Sequence, residues 1–148
     1  MNEAPIIRDV SDSVRSIELA WIPMSDGRRL AARLWFPRDA ESHPVPAILE
    51  YIPYRRRDGT RPRDDESHPW IAAQGYACAR VDIAGSGDSD GLLLDEYLKQ
   101  EQDDACEIIA WLAAQPWCSG SVGMIGISWG GFNGLQVAAR RPPALKAV

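Results

Sequence analysis

Lysine, cysteine and histidine are scarce in this chain of 148 residues, and each scarcity excludes something. Of the 16 basic residues, fourteen are arginine, a bias for which the sequence offers no functional reason. Cys78, Cys106 and Cys118 are odd in number, far apart and in no C-x-x-C pair. That excludes a disulfide framework and a structural zinc site, and it suits a reducing, cytoplasmic compartment. No apolar run approaches the ~18–20 residues of a membrane span. The start, Met1-Asn2-Glu3-Ala4-Pro5, lacks a basic segment followed by an apolar one, so no secretory leader is expected. Basic residues are outnumbered by 21 acidic ones, for a net charge of −5. This balance argues against a nucleic-acid partner, which would call for a basic face.

Hydrophobic residues make up 45% of the chain, ordinary for a soluble globular domain. Residues 1–15 are polar and expected to be disordered. Ser16–Met24 reads as a strand, Ser25-Asp26-Gly27 as a tight turn, and Arg28–Phe36 as a second strand. In the second strand Leu30, Ala32, Leu34 and Phe36 should face one way, and Arg29, Arg33 and Trp35 the other. A change of pattern follows. Apolar strands are expected at Val45–Tyr51, Tyr76–Ile83 and Ser121–Ile127, with another starting at Ala144. Helices are expected from Ser67, as a cap, to Ala73, over Asp95–Gln115, and over Phe132–Arg140. The long helix carries Ala105, Ile108, Ile109 and Leu112 as an apolar stripe, and Pro116 stops it. A hairpin followed by alternating strands and helices predicts an α/β fold with a mostly parallel sheet flanked by helices.

The strongest chemical signal is Gly126-Ile127-Ser128-Trp129-Gly130, a G-x-S-x-G pattern with an apolar strand before it and a helix after it. In that setting a serine sits on a sharp turn, and the flanking glycines let helix and strand approach closely. The hydroxyl of Ser128 then projects over the carboxyl end of the sheet, where parallel α/β sheets bind ligands. The backbone N–H of Trp129, at a helix N-terminus, is a candidate oxyanion donor. A second donor should come from the loop after the first parallel strand, which makes Tyr54 a candidate through its phenol or its N–H. A base is harder to find. Both histidines precede Ser128, whereas this fold orders its triad as Ser, acid, His. His43 lies in a proline-bearing connection, and His68 in a charged loop of arginines (55–57, 61, 63) opposed by Asp58, Asp64, Asp65 and Glu66. That loop reads as solvated and self-neutralised. Gly85–Gly91 resembles a dinucleotide loop, but its third glycine is one position late and no helix follows at once. Asp82, Asp88 and Asp90 have no histidine beside them, so neither a metal nor a cofactor is expected.

These residues resemble the CocE/NonD hydrolases, the cocaine-esterase and X-Pro dipeptidyl-peptidase group of the α/β-hydrolase superfamily. The matching stretches are the hairpin at 22–37, Tyr51–Tyr54 with its arginine-rich loop, residues 75–91, and residues 111–131; together they span residues 16–148. The resemblance implies an α/β-hydrolase fold with Ser128 as the acylated nucleophile. It implies an oxyanion hole made by the Tyr54 phenol and the Trp129 N–H. It also implies cofactor-free hydrolysis of a small-molecule ester or peptide. Ala84 stands where the family usually carries arginine, which puts a local salt bridge in doubt. The family's acid, histidine, helical cap and C-terminal β-sandwich are expected beyond residue 148, leaving 16–148 as a partial catalytic domain. The competing expectation is a non-catalytic α/β binding module or an inactive remnant.

Overall fold

The computed structural model describes residues 12–148. Strands β1 (Val14–Pro23) and β2 (Arg29–Pro37) form the expected hairpin. Its reversal is closed by Gly27, at φ 90°, whose N–H donates to the Met24 carbonyl at 3.0 Å. The Asp26 carboxylate accepts from the Arg28 N–H at 3.0 Å, so Asp and Gly divide the work of the turn. After the hairpin come β3 (Val45–Ile52), α1 (Arg61–Ala73), β4 (Ala77–Asp82), α2 (Lys99–Ala113), β5 (Cys118–Met124), α3 (Trp129–Arg140) and β6 (Leu145–Ala147).

The six strands make one sheet in the order β1-β2-β4-β3-β5-β6. β2 runs antiparallel to its neighbours, while β4, β3, β5 and β6 are parallel. The chain steps from β3 to β4 on one side, then returns past β3 to lay down β5 on the other. Strand order thus reverses at β3. The loops leaving β3 and β5 therefore both lie at the carboxyl edge next to this reversal, the place where open α/β sheets bind ligands.

Side-chain alternation divides the core between two faces. Leu34, Phe36, Ala47, Leu49, Ala77 and Ala79 pack with Ala105, Ile108, Ile109 and Leu112 of α2 and Val137 of α3. The intervening Trp35 and Cys78 pack with Ala72 of α1. Each fully buried Ile or Leu of the α2 stripe contributes roughly 1.5–3 kcal/mol. Both faces of β2 are therefore covered, and Trp35 and Arg33 are as buried as the apolar set opposite them. β2 is an interior strand, because α1 lies over its second face. None of the described helices is long and apolar enough to cross a membrane.

The elements differ from the sequence expectations mainly at their ends. α1 starts six residues before Ser67, which is not its cap; the Ser67 hydroxyl donates instead to the Arg63 carbonyl at 2.9 Å. Thr60 precedes the helix, with its carbonyl taking the Asp64 N–H at 3.0 Å and its hydroxyl donating to Asp64 Oδ2 at 2.7 Å. The first turn has no apolar period to reveal it, being assembled from ion pairs around Pro62. α2 is trimmed to Lys99–Ala113, and β5 ends at Met124. α3 begins directly after Ser128. The expected disorder over 1–15 falls mainly on residues 1–11, outside the described residues, and Val14 and Arg15 are paired in β1.

Most of the arginine-rich loop is exposed and partly self-neutralised, as Arg55–Asp58 and Arg61–Asp65 show, but it covers a buried charge network. Arg56, Asp64, Arg80 and Asp82 are all buried. Arg80 lies 3.4 Å from both Asp64 and Asp82 and donates to the Val81 carbonyl at 2.8 Å. A guanidinium spreads its donors over three nitrogens, so Nε faces Asp64 while Nη1 faces Asp82 and the Val81 carbonyl; a lysine would have to meet all three from a single nitrogen. That is a physical reason for arginine at these positions.

Candidate active site

Ser128 occupies the link between β5 and α3 and is exposed. The turn is drawn tight by three backbone bonds. The Ile125 N–H donates to the Leu49 carbonyl at 3.0 Å, the Gly130 N–H to Ile127 at 3.2 Å, and the Phe132 N–H to Ser128 at 2.9 Å. Ser128 is held at φ 55°, ψ −117°. A residue with a Cβ held in so sparsely populated a region costs ~1–3 kcal/mol, and such strain persists only where the surroundings enforce it.

Two glycines permit this geometry for steric reasons. A Cβ on Gly126 would lie 2.3 Å from the Gly130 carbonyl carbon, and one on Gly130 would lie 2.9 Å from Ile52 Cγ2. The first clash is with backbone and the second with a side chain that can turn. Gly126→Ala should therefore destabilise by about 3 kcal/mol and Gly130→Ala by about 1 kcal/mol. Urea denaturation of the two variants measures the difference; equal costs would show that the elbow can relax around Gly126.

Trp129 opens α3, so its backbone N–H belongs to the first turn, where N–H groups have no intrahelical acceptor. The positive end of the helix dipole adds to its attraction for a developing anion. Tyr54 follows β3 by two residues and is 43% exposed. Its loop is moored from several sides. The Arg56 N–H donates to Asp82 Oδ1 at 2.8 Å, and the Arg56 guanidinium donates to the Glu18 carbonyl and to Asp88, both at 2.9 Å. The Ser86 hydroxyl donates to the Pro53 carbonyl. Burial raises the Asp82 pKa above the ordinary carboxylate range, against the opposing pull of the Arg56 N–H and the charges of Arg80 and Arg56. Tyr97 packs against the head of α3. Its ring packs 5.2 Å from Trp129 and 5.7 Å from Phe132. Its phenol is pushed upward by desolvation, then by Glu96, Tyr54 and Glu101, so Tyr54 is within electrostatic reach of it.

Neither histidine joins this group. His43 precedes β3, whose eight residues span roughly 26 Å to the carboxyl edge. It pairs with Asp39 at 3.3 Å in the exposed connection. His68 is buried on α1, stacked 4.8 Å from Trp35 and 3.3 Å from Glu50. Among the described residues, Glu50, Asp64 and His68 form one cluster with metal-ligating side chains. Arg63 Nη2 already lies 2.7 Å from both carboxylates, so the cluster is neutralised by cations of the chain itself.

The glycine-rich loop is a packing device. A Cβ on Gly87 would fall 2.1 Å from Asp82 Oδ2, and one on Gly85 would fall 2.1 Å from the Leu93 backbone N. Asp82 and Asp88 face Arg56, and Asp90 faces Arg29, so these carboxylates are engaged by guanidinium groups. Ala84, where arginine was expected, is buried, and Arg56 and Arg80 answer Asp82 instead. Cys78 is enclosed, and burial followed by the Glu50 charge raises its thiol to about 12, which makes it inert.

Sequence reasoning missed Glu101 and Asn133. Both are buried at the bases of α2 and α3. Glu101 lies four residues before Ala105 on the apolar stripe of α2, and Asn133 four before Val137 on that of α3. A polar residue on an otherwise apolar stripe was the available signal.

Residues 26–148 match the family model described as X-Pro dipeptidyl-peptidase (S15 family). The cocaine esterase of Rhodococcus sp. (strain MB1 Bresler) is 35% identical over 129 residues, covering 86% of this chain and 22% of that protein. A CocE/NonD family hydrolase from Staphylococcus aureus superposes with a TM-score of 0.76 at 21% identity, over 99% of this chain and 32% of its own. An α-amino acid ester hydrolase gives a TM-score of 0.73 at 25% identity, over 97% of this chain and 26% of its own. The chain spans less than a quarter of the length of the curated relatives it matches. The strand order and flanking helices are those of the N-terminal part of an α/β-hydrolase, and the CocE/NonD resemblance read from the motifs is borne out. The chain belongs to the X-Pro dipeptidyl-peptidase (S15) family.

Proposed function

We propose that this segment supplies the nucleophile and the oxyanion hole of a serine hydrolase acting on small-molecule esters or amides. The observation that carries the reading is the backbone of Ser128, held at φ 55°, ψ −117° at the head of α3. Such strain has no use in an ordinary strand–helix link, but it exposes a hydroxyl at the carboxyl edge of the sheet. In the proposed reaction Ser128 Oγ attacks the substrate carbonyl carbon as a base takes its proton. The tetrahedral oxyanion forms against the Trp129 N–H and the Tyr54 phenol. Collapse expels the alcohol or amine, which takes the proton, and leaves an acyl-serine that water then hydrolyses. No metal or cofactor enters this scheme.

The base and its orienting acid are assigned to chain outside these 148 residues. His43 is at the far end of β3 and His68 is enclosed under Trp35, so neither reaches Ser128. Residues 16–148 are then part of a catalytic domain that further chain completes. The cocaine esterase and the S15 family relationship support an ester or X-Pro peptide as substrate. The three free cysteines suit a cytoplasmic enzyme, and the net charge of −5 argues against a nucleic-acid or anionic-membrane partner.

A fluorophosphonate probe tests this. In the full-length hydrolase, rapid labelling is expected at Ser128 and is lost in Ser128→Ala. In the 148-residue chain labelling is expected to be slow, because a serine without a base is an ordinary alcohol. Rapid stoichiometric labelling of the short chain would mean that a base is present within it. Failure of the full-length protein to label would favour a non-catalytic binding module.

A further inference from the structure

Glu101 breaks the rule of its own helix. It stands on the buried stripe of α2, where an aliphatic residue would continue the core, and it is 5% exposed. Among the described residues no arginine or lysine pairs with it; the nearby Arg28 is committed to Asp104 at 2.7 and 2.9 Å. A carboxylate buried without a cation costs several kcal/mol relative to an apolar side chain unless hydrogen bonds satisfy it. Three donors do so. Oε2 accepts the Tyr97 N–H at 3.1 Å, just before the start of α2. Oε1 accepts the Trp129 indole Nε1–H at 2.8 Å and the Asn133 amide at 3.1 Å. Asn133 Nδ2 also donates to the Tyr51 carbonyl at 2.7 Å, near the end of the strand that leads to Tyr54.

The two oxygens therefore do different things. Oε2 closes the first turn of α2, as a helix cap does. Oε1 does nothing for α2. It grips the residue after Ser128 and, through Asn133, the strand before Tyr54. We infer that Glu101 is a positioning residue: its Oε1 fixes the Trp129 indole, and with it the direction of the Trp129 backbone N–H, relative to the Tyr54 loop. The inference rests on the proposed serine-hydrolase reading. An oxyanion hole is effective only when its donors are preorganised, and a 1 Å misplacement can cost about 100-fold.

The test uses the full-length hydrolase, p-nitrophenyl acetate as substrate, and phenylboronic acid, whose serine adduct is tetrahedral. Glu101→Ala should lower kcat by ~30-fold or more with KM within about 3-fold, and should weaken boronate binding in parallel. Glu101→Gln keeps an oxygen toward Trp129 and Asn133 but turns an N–H donor toward the Tyr97 N–H. It should lose thermal stability yet hold kcat within about 3-fold of wild type. Adding Trp129→Phe to a Glu101→Ala background should cost little more than Glu101→Ala alone, because the indole link is already broken. If Glu101→Ala does not fold, Trp129→Phe reads the same link, with an expected kcat loss of ~10-fold at unchanged KM. Additive losses in the double variant would overturn the inference. So would a Glu101→Gln enzyme as impaired as Glu101→Ala, or boronate binding that stays unchanged while kcat falls. Turnover that survives Ser128→Ala would instead reject the serine-hydrolase reading itself, a result that no Glu101 variant can mimic.

Discussion

On the proposed serine-hydrolase reading, Tyr54→Phe in the full-length protein is expected to cut turnover by about 100-fold or more while leaving KM nearly unchanged. Removing one oxyanion donor raises the barrier by roughly 2.7–4 kcal/mol, because the bond exists at full strength only when the carbonyl oxygen becomes an anion. The substitution is mild otherwise. Tyr54 is 43% exposed, and its loop is held by the Arg56 N–H on Asp82 and the Ser86 hydroxyl on Pro53, not by the phenol. Stability should therefore move by less than about 0.5 kcal/mol. Steady-state kinetics and a thermal melt on the same protein separate the two effects. Unchanged turnover would remove the phenol from the mechanism and leave the second donor to a backbone N–H.

The second large effect lies beneath the same loop. Arg80→Met is expected to destabilise the protein by about 3–5 kcal/mol, the usual result of deleting one partner of a buried charge network. Arg80 is fully enclosed and faces Asp64 and Asp82, each at 3.4 Å. Its Nη1 also reaches the Ile52 carbonyl at 3.3 Å, at the end of β3. Burial alone lowers the guanidinium pKa, and Asp82, Asp64 and Glu50 oppose that shift. The methionine would fill much of the volume but leave two buried carboxylates without this cation. Protonating them would then ease the strain, so the variant should lose less stability, relative to wild type, near pH 4 than at pH 7. Urea denaturation at both pH values tests this. A cost below about 1 kcal/mol at pH 7 would show that Arg56 and Arg63 can carry Asp82 and Asp64 by themselves.

Much of the fold was legible because periodicity is a local property. The hairpin turn, the four central strands and the stripe of α2 all follow from residues within a few positions of one another. The G-x-S-x-G pattern with a strand before and a helix after was enough to single out Ser128. The start of α1 was not legible. Its first turn has no apolar face and is held by Thr60 and by ion pairs whose partners lie on β1, β2 and β3. The same reason hid the ion pairs that leave the arginine-rich loop. Arg55 pairs with Asp58 within the loop, while Arg56, Arg61 and Arg63 reach Asp88, Glu18 and Glu50, which folding brings close. His68, read as a loop residue, is a core residue for the same cause.

The sequence by itself determined the class of fold and the position of the tight strand–helix turn that carries Ser128, since backbone propensity, side-chain period and glycine placement are encoded within short windows. Only the tertiary structure decided what surrounds that serine. The reversal of strand order at β3 makes β3 and β5 parallel neighbours and brings the loops after them to the same edge of the sheet, although Tyr54 and Ser128 are far apart along the chain. It excludes His43 and His68 by distance and enclosure. It also brings Glu101, 28 residues from Trp129, within 2.8 Å of that indole. Hydrogen bonds and ion pairs act over a few ångströms of space, and separation along the sequence carries no record of which groups folding will place within that range.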